Sequence, residues 1–209
     1  MMRRTILFMA LTTGLLSGCL SRTDNTQYYH LSTPAAAQSA AVESNKVFVV
    51  GLRMTTVDFL RTKQMMVELG PNELRLSEEN VWQETPQAGF ARVLDERFAQ
   101  DLPDCQLSPF PSVTLNAPEF ILEIELQSMQ GRLKPRGEAE VSAEVRLLDA
   151  GGRLLEREEL RHVSPWTPTT SPAGYPALAA AESRAAAALA DEIAQKVSAC
   201  HRKLSGNKL

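Results

Sequence analysis

The sequence predicts an α/β fold, an α+β sandwich whose mostly antiparallel sheet carries two principal helices on one face. Three observations lead there. Apolar residues alternate over 119–129 and again over 138–148. A tight turn at Asp149-Ala150-Gly151-Gly152 then leads into a third extended run, and two other segments, after Thr85 and after Pro176, repeat their apolar residues at helical spacing.

Taken in order, Tyr28-Tyr29-His30-Leu31 reads as the start of a strand, and 32–45, with Pro34 and a run of alanines, as a loop with little to bury. Lys46 to Leu52 is β-branched and aromatic, as strands are. Gln64 to Leu69 and Glu73 to Leu76 flank Gly70-Pro71-Asn72 and form a hairpin. Between these strands, Thr55 to Lys63 is neither clearly helical nor clearly extended and reads as a partly buried crossover.

Thr85 is suited to accept the first free amide hydrogens of a helix and Pro86 to its first position. Phe90, Val93, Leu94 and Phe98 supply the buried stripe, and Leu102-Pro103 ends it. Cys105 to Pro109 is a short strand. Phe120, Leu122, Ile124 and Leu126 alternate with Glu119, Glu123 and Glu125, as Val141, Ala143, Val145 and Leu147 do with Glu140, Glu144 and Arg146. Arg153 to Val163 returns antiparallel, completing a meander at the centre of the sheet. Pro165, Pro168, Pro172 and Pro176 make 164–176 a linker or a rigid loop. Ala177 to Cys200 is the second helix, with Leu178, Ala181, Ala185, Leu189, Ile193 and Val197 on one stripe.

The first 18 residues have the layout of an export signal: Arg3-Arg4, an apolar run of about 12 residues, then Leu16-Ser17-Gly18-Cys19. The run is too short to span a bilayer, which takes about 20 residues. Its ending resembles the bacterial lipobox, which implies lipidation of Cys19. Acyl chains there anchor the protein to a membrane facing the periplasm. Leu20 stands where aspartate would be the usual signal for inner-membrane retention, so the resemblance implies the outer membrane. The expected division is 1–18 signal peptide, 19–27 tether, 28–203 one domain and 204–209 a polar tail.

Removing residues 1–18 takes two of the 22 basic residues, leaving 20 against 25 acidic ones and a formal charge of −5. That balance argues against nucleic acid as a partner, since its phosphates need a basic face. Of the three cysteines, Cys105 and Cys200 remain once Cys19 is acylated. In an oxidising compartment they are expected to pair, closing a loop worth roughly 4–5 kcal/mol in the chain-entropy model; two free thiols are the alternative. Only His30, His162 and His201 are present, without ligand spacing around the cysteines, so no metal or other cofactor is expected.

The chain contains no Gly-x-Ser-x-Gly, His-Glu-x-x-His or phosphate-binding glycine-loop motif. The carboxylates of Glu119, Glu123 and Glu125, or of Glu156, Glu158 and Glu159, have the residue types of a glycosidase pair. Interleaved with Arg157 and Arg161 on strands, they read instead as a solvated, cross-strand-paired face. The chain is therefore not expected to be an enzyme. Tyr28, Tyr29, Trp82, Trp166 and Tyr175 fall outside the periodic stripes, where aromatics either seal a small core or serve as binding residues.

Leu16-Ser17-Gly18-Cys19, Tyr28-Tyr29-His30-Leu31, Asp58-Phe59-Leu60-Arg61 with Gln64-Met65-Met66-Val67, Asn72-Glu73-Leu74 and Trp82-Gln83-Glu84 occur in an order and spacing that resemble the ABC-type transport auxiliary lipoproteins of the PqiC/YmbA kind. Phe59 departs from a position where that family often has tyrosine. The resemblance implies a non-enzymatic piece at the outer-membrane end of a lipid transport system, working with an MCE-domain protein and a membrane component, and makes a homo-oligomeric ring conceivable. A lipoprotein that binds and regulates a cell-wall synthase is the competing expectation. Asp58, Phe59, Leu60, Arg61 and Trp82 carry the resemblance without core periodicity and are the expected docking surface.

Overall fold

A computed structural model describes residues 25–33, 48–111, 117–133, 136–167 and 174–206. Its elements are β1 (Gln27–Tyr29), β2 (Phe48–Thr56), β3 (Gln64–Gly70), β4 (Glu73–Trp82), α1 (Pro86–Asp101), β5 (Cys105–Pro109), β6 (Phe120–Arg132), β7 (Glu138–Asp149), β8 (Leu154–Pro165) and α2 (Gly174–Gly206). The hairpin, the meander and both helices stand where the periodicities put them. Thr85 caps α1 by accepting from the Ala88 N–H. The α2 helix starts inside the expected proline-rich linker and runs into the expected polar tail.

All eight strands join one open sheet, which forks at β6. One side of β6 pairs antiparallel with β7, and β7 with β8. The other side is shared: its first half pairs parallel with β2, its end with β3. The β2 branch continues to β5 and the β3 branch through β4 to β1. The long ladders are the antiparallel ones, as expected. The pairings β2–β6, β3–β6, β2–β5 and β1–β4 are parallel, and nothing local in the sequence announces them.

Both helices cover one face. Phe120, Leu122, Ile124 and Leu126 point into a core that also takes Phe90, Leu94 and Phe98 from α1 and Leu178, Ala185, Leu189 and Ile193 from α2. Past Leu126 the ladder slips by one residue, so Ser128 pairs with Ser142 and Met129 with Val141. A bulged residue reverses the phase of everything beyond it. Met129 and Gly131 consequently face the helices, and the alternation that ran through Leu126 does not continue to the strand's end. At Gly131 a Cβ would lie 2.8 Å from both Leu178 and Trp166, so α2 approaches the sheet there as closely as glycine permits.

The disulfide expected between Cys105 and Cys200 is not formed; both thiols are free. Cys105 lies beside Phe48 in the β2–β5 register, and the Phe48 ring stacks on His201 with centroids 4.0 Å apart. The helix thus presents His201 to this corner. Cys200, about 100° round the helix, senses Glu156 on β8, the far edge of the sheet. Burial, with the Glu119 charge, pushes the Cys105 thiol up to about 12, and burial raises Cys200 as well. Neither is an activated thiolate.

Candidate functional site

The segment expected to dock a partner is a single 3-10 turn, Asp58–Arg61, where the chain leaves β2 and crosses to β3. Val57 donates its N–H to the Leu126 carbonyl at 3.2 Å, and Leu60 donates to the Val57 carbonyl at 3.1 Å. Those two bonds hold the turn against the middle of β6. The turn drops Leu60 into the core, fully buried, and turns its neighbours outward. Phe59 is 46% exposed, and Asp58 and Arg61, both largely solvated, pair at 3.3 Å.

Trp82 does not join that surface. It ends β4 at 2% exposure, within the hydrophobic core. Its N–H donates to the Lys63 carbonyl at 2.6 Å, and Tyr29 of β1 stands beside it in register. The indole is buried with the core cluster, and β1 pairs with β4 alongside it. Leu60 and Trp82 therefore leave the expected docking set, and Asp58, Phe59 and Arg61 remain. Of the other aromatics outside the stripes, Trp166 is buried and donates its Nε1–H to the Gly174 carbonyl at 3.0 Å, whereas Tyr28 is 69% exposed.

The stretch after β1 is tied firmly to the body. The Arg92 guanidinium donates to the Leu31 carbonyl at 2.8 Å and to Glu84 and Glu96. Ser32 donates its N–H to Ser183 Oγ on α2 at 3.0 Å. Its hydrogen bonds to Glu84 raise the Arg92 pKa further, so this cation persists at every accessible pH. Cys19 itself lies outside the described residues, but only seven residues separate it from Gln27, eight steps along the chain. At about 3.3–3.6 Å per residue the leash reaches at most roughly 29 Å.

The sheet face away from the helices carries two rows of alternating charge running across the strands. One links Arg53 of β2, Glu123 of β6, Arg146 and Glu144 of β7 and Arg157 of β8. The other links Glu68 of β3, Arg132 of β6, Glu140 of β7 and Arg161 of β8. Glu144 is held ionised by its hydrogen bonds to Arg157 and Arg146. Glu156 and Glu158 share Lys196 of α2. Carboxylates matched with guanidinium and ammonium groups in this way do not form the unequal acid–base pair that glycoside hydrolysis uses. Among the described residues there is no group of three or more His, Cys, Asp or Glu arranged to hold a metal.

Residues 29–194 match the family model described as "ABC-type transport auxiliary lipoprotein component". Two solved structures share the fold. Protein XCC0632 from Xanthomonas campestris is 13% identical with a TM-score of 0.67, over 87% of this chain and 99% of its own. An uncharacterized protein of known crystal structure is 15% identical with a TM-score of 0.65, over 82% and 98%. No curated protein matches the chain. The family match runs from the last residue of the N-terminal strand through the 3-10 turn, the first helix, the whole meander and most of the second helix, and this chain belongs to the ABC-type transport auxiliary lipoproteins.

Proposed function

We propose that the protein is a non-enzymatic auxiliary component of an MCE/ABC-type lipid transport system, anchored to the periplasmic face of the outer membrane through acylated Cys19. The family match over 29–194 is the observation that carries this reading. The ion-paired carboxylates and the anchored stretch after β1 are in keeping with it, as features of a tethered binding domain. The docking surface for the MCE-domain protein is the outward part of the turn, Asp58, Phe59 and Arg61, an aromatic and an arginine held on a rigid base.

Cys19→Ala is expected to abolish incorporation of a labelled fatty acid and to release the protein from the outer-membrane fraction, since the acyl chains supply nearly all of the attachment. If the wild-type chain takes up no label, or the variant still sediments with that membrane, the anchor is assigned wrongly. Phe59→Ala and Arg61→Ala are each expected to weaken binding to the cell's MCE-domain protein by about 1–2 kcal/mol, roughly 5- to 30-fold in Kd, without lowering the melting temperature. Unchanged affinity in both variants removes the turn as the docking site. Binding of a penicillin-binding protein instead of an MCE-domain protein replaces the transport reading with the regulatory one.

A further inference from the structure

Strand β1 fixes the direction in which the leash leaves the body. It runs parallel to β4 with Gln27 beside Asn80, so its N-terminal end points back along β4 toward the tip of the β3–β4 hairpin. Glu73, at that tip, is seven residues before Asn80, a distance of about 23 Å at roughly 3.3 Å per residue. A leash that reaches at most roughly 29 Å is long enough to bring Cys19 level with the tip. The opposite end of the sheet, where β6 begins, lies the other way along β1.

The hairpin shares its end of the molecule with the turn from β6 into β7. Glu68 pairs with Arg132, and the Leu133 N–H donates to the Glu68 carbonyl at 3.0 Å. Leu74 and Leu76 stand on one face of β4, 39% and 41% exposed. Among the described residues, the exposed charges of the tip and of the turn are Arg75 and Arg136 against Glu73. Neither arginine is ion-paired among the described residues, unlike those of the charged rows on the open face. Leucines beside free guanidinium groups suit the boundary of a bilayer, where apolar side chains enter the lipid and cations meet its phosphates.

We infer that the hairpin tip, with Leu74, Leu76, Arg75 and Arg136, rests on the phospholipid surface that holds the anchor, and that the rest of the sheet stands away from it. The inference rests on the acylation of Cys19 and adds the part of the domain that meets the membrane. It does not depend on the transport partner.

A tryptophan placed at the tip tests it, because both native ones, Trp82 at 2% and Trp166 at 8% exposure, are buried and give a constant background. Full-length lipidated Leu74→Trp is reconstituted in vesicles of phosphatidylethanolamine and phosphatidylglycerol, with and without bromine on the upper acyl chains, and the wild-type spectrum is subtracted. An indole about 5–10 Å into the interface is within reach of those bromines. Its emission is expected to shift to shorter wavelength in plain vesicles and to be lost in brominated ones. Leu154→Trp, 51% exposed beside Leu148 at the opposite end of the sheet, is expected to do neither. Leu74→Trp quenched no more than Leu154→Trp overturns the inference. Flotation of the wild type with the vesicles reads the anchor separately: a chain that floats with an unquenched tip keeps the anchor and loses only this contact, whereas one that does not float loses both. An unquenched tip whose Leu74→Ser variant binds the MCE-domain protein more weakly is a protein-docking surface instead.

Discussion

Trp82→Ala is expected to destabilise the protein by about 3–5 kcal/mol, the range for emptying a buried indole site. The indole is 2% exposed within the core, and the backbone N–H of residue 82 keeps its bond to the Lys63 carbonyl in any variant. The strand that carries it, β4, is hydrogen-bonded on both sides, to β1 and to β3, and has little freedom to collapse into the space. Urea unfolding monitored by circular dichroism reads this directly as a lower midpoint. Phe59→Ala, four-tenths or more exposed and only 23 residues earlier, is expected to stay within about 0.5 kcal/mol of wild type. Equal effects of the two substitutions would mean that the turn and β4 are not arranged as described, and would return Trp82 to the docking surface.

The second large effect concerns Glu182. It lies in the middle of α2 at 1% exposure, and neither carboxylate oxygen has a hydrogen-bond partner. Burial alone pushes its pKa well above the ordinary carboxylate range, so the folded protein holds it protonated. The unfolded chain loses that proton near pH 4.3. Between that pH and the folded-state pKa the native state binds the extra proton, and stability falls as pH rises, by up to about 1.4 kcal/mol per pH unit. This is opposite to the contribution of an ion-paired carboxylate such as Glu144, whose lowered pKa stabilises the fold above the unfolded value and is lost on acidification. Glu182→Met is expected to raise stability by about 1–3 kcal/mol already at pH 4, the usual cost of an unsatisfied buried polar group, and by more at pH 7.5, where the cost of keeping the proton on the folded chain is added. Glu182→Gln should flatten the pH dependence without the full gain, since its amide stays unpartnered. Matched urea curves at the two pH values decide it. A variant whose stability falls with pH as steeply as the wild type's shows that Glu182 is not the group responsible.

Periodicity made most of the elements legible. The strands β6, β7 and β8, the hairpin β3–β4 and both helices bury one face each, and a one-sided element writes its period into the chain. The Thr85-Pro86 start of α1 was equally readable, because capping is local chemistry. The bulge after Leu126 was not. A residue inserted in a ladder is defined by what the neighbouring strand does, and the neighbour is β7, beyond a turn the chain has yet to make. The exposure of these residues was legible in part: Asp58, Phe59 and Arg61 do face outward, while Leu60 and Trp82 read as unpatterned only because the elements that bury them come from elsewhere in the chain.

By itself the sequence determined the export signal's form, the order and type of the main elements, the absence of known catalytic motifs and the resemblance that the family match bears out. Tertiary structure decided which strands lie parallel, that β6 serves two branches, that Cys105 and Cys200 stay unpaired, and that Glu182 is buried. On an alanine-rich helix a glutamate normally marks the solvated side. The burial of its second face depends on α1 and the sheet closing around α2 together. Local pattern records the preference of one residue for its own backbone and one face; burial on every side is a property of several distant segments at once, and only their packing supplies it.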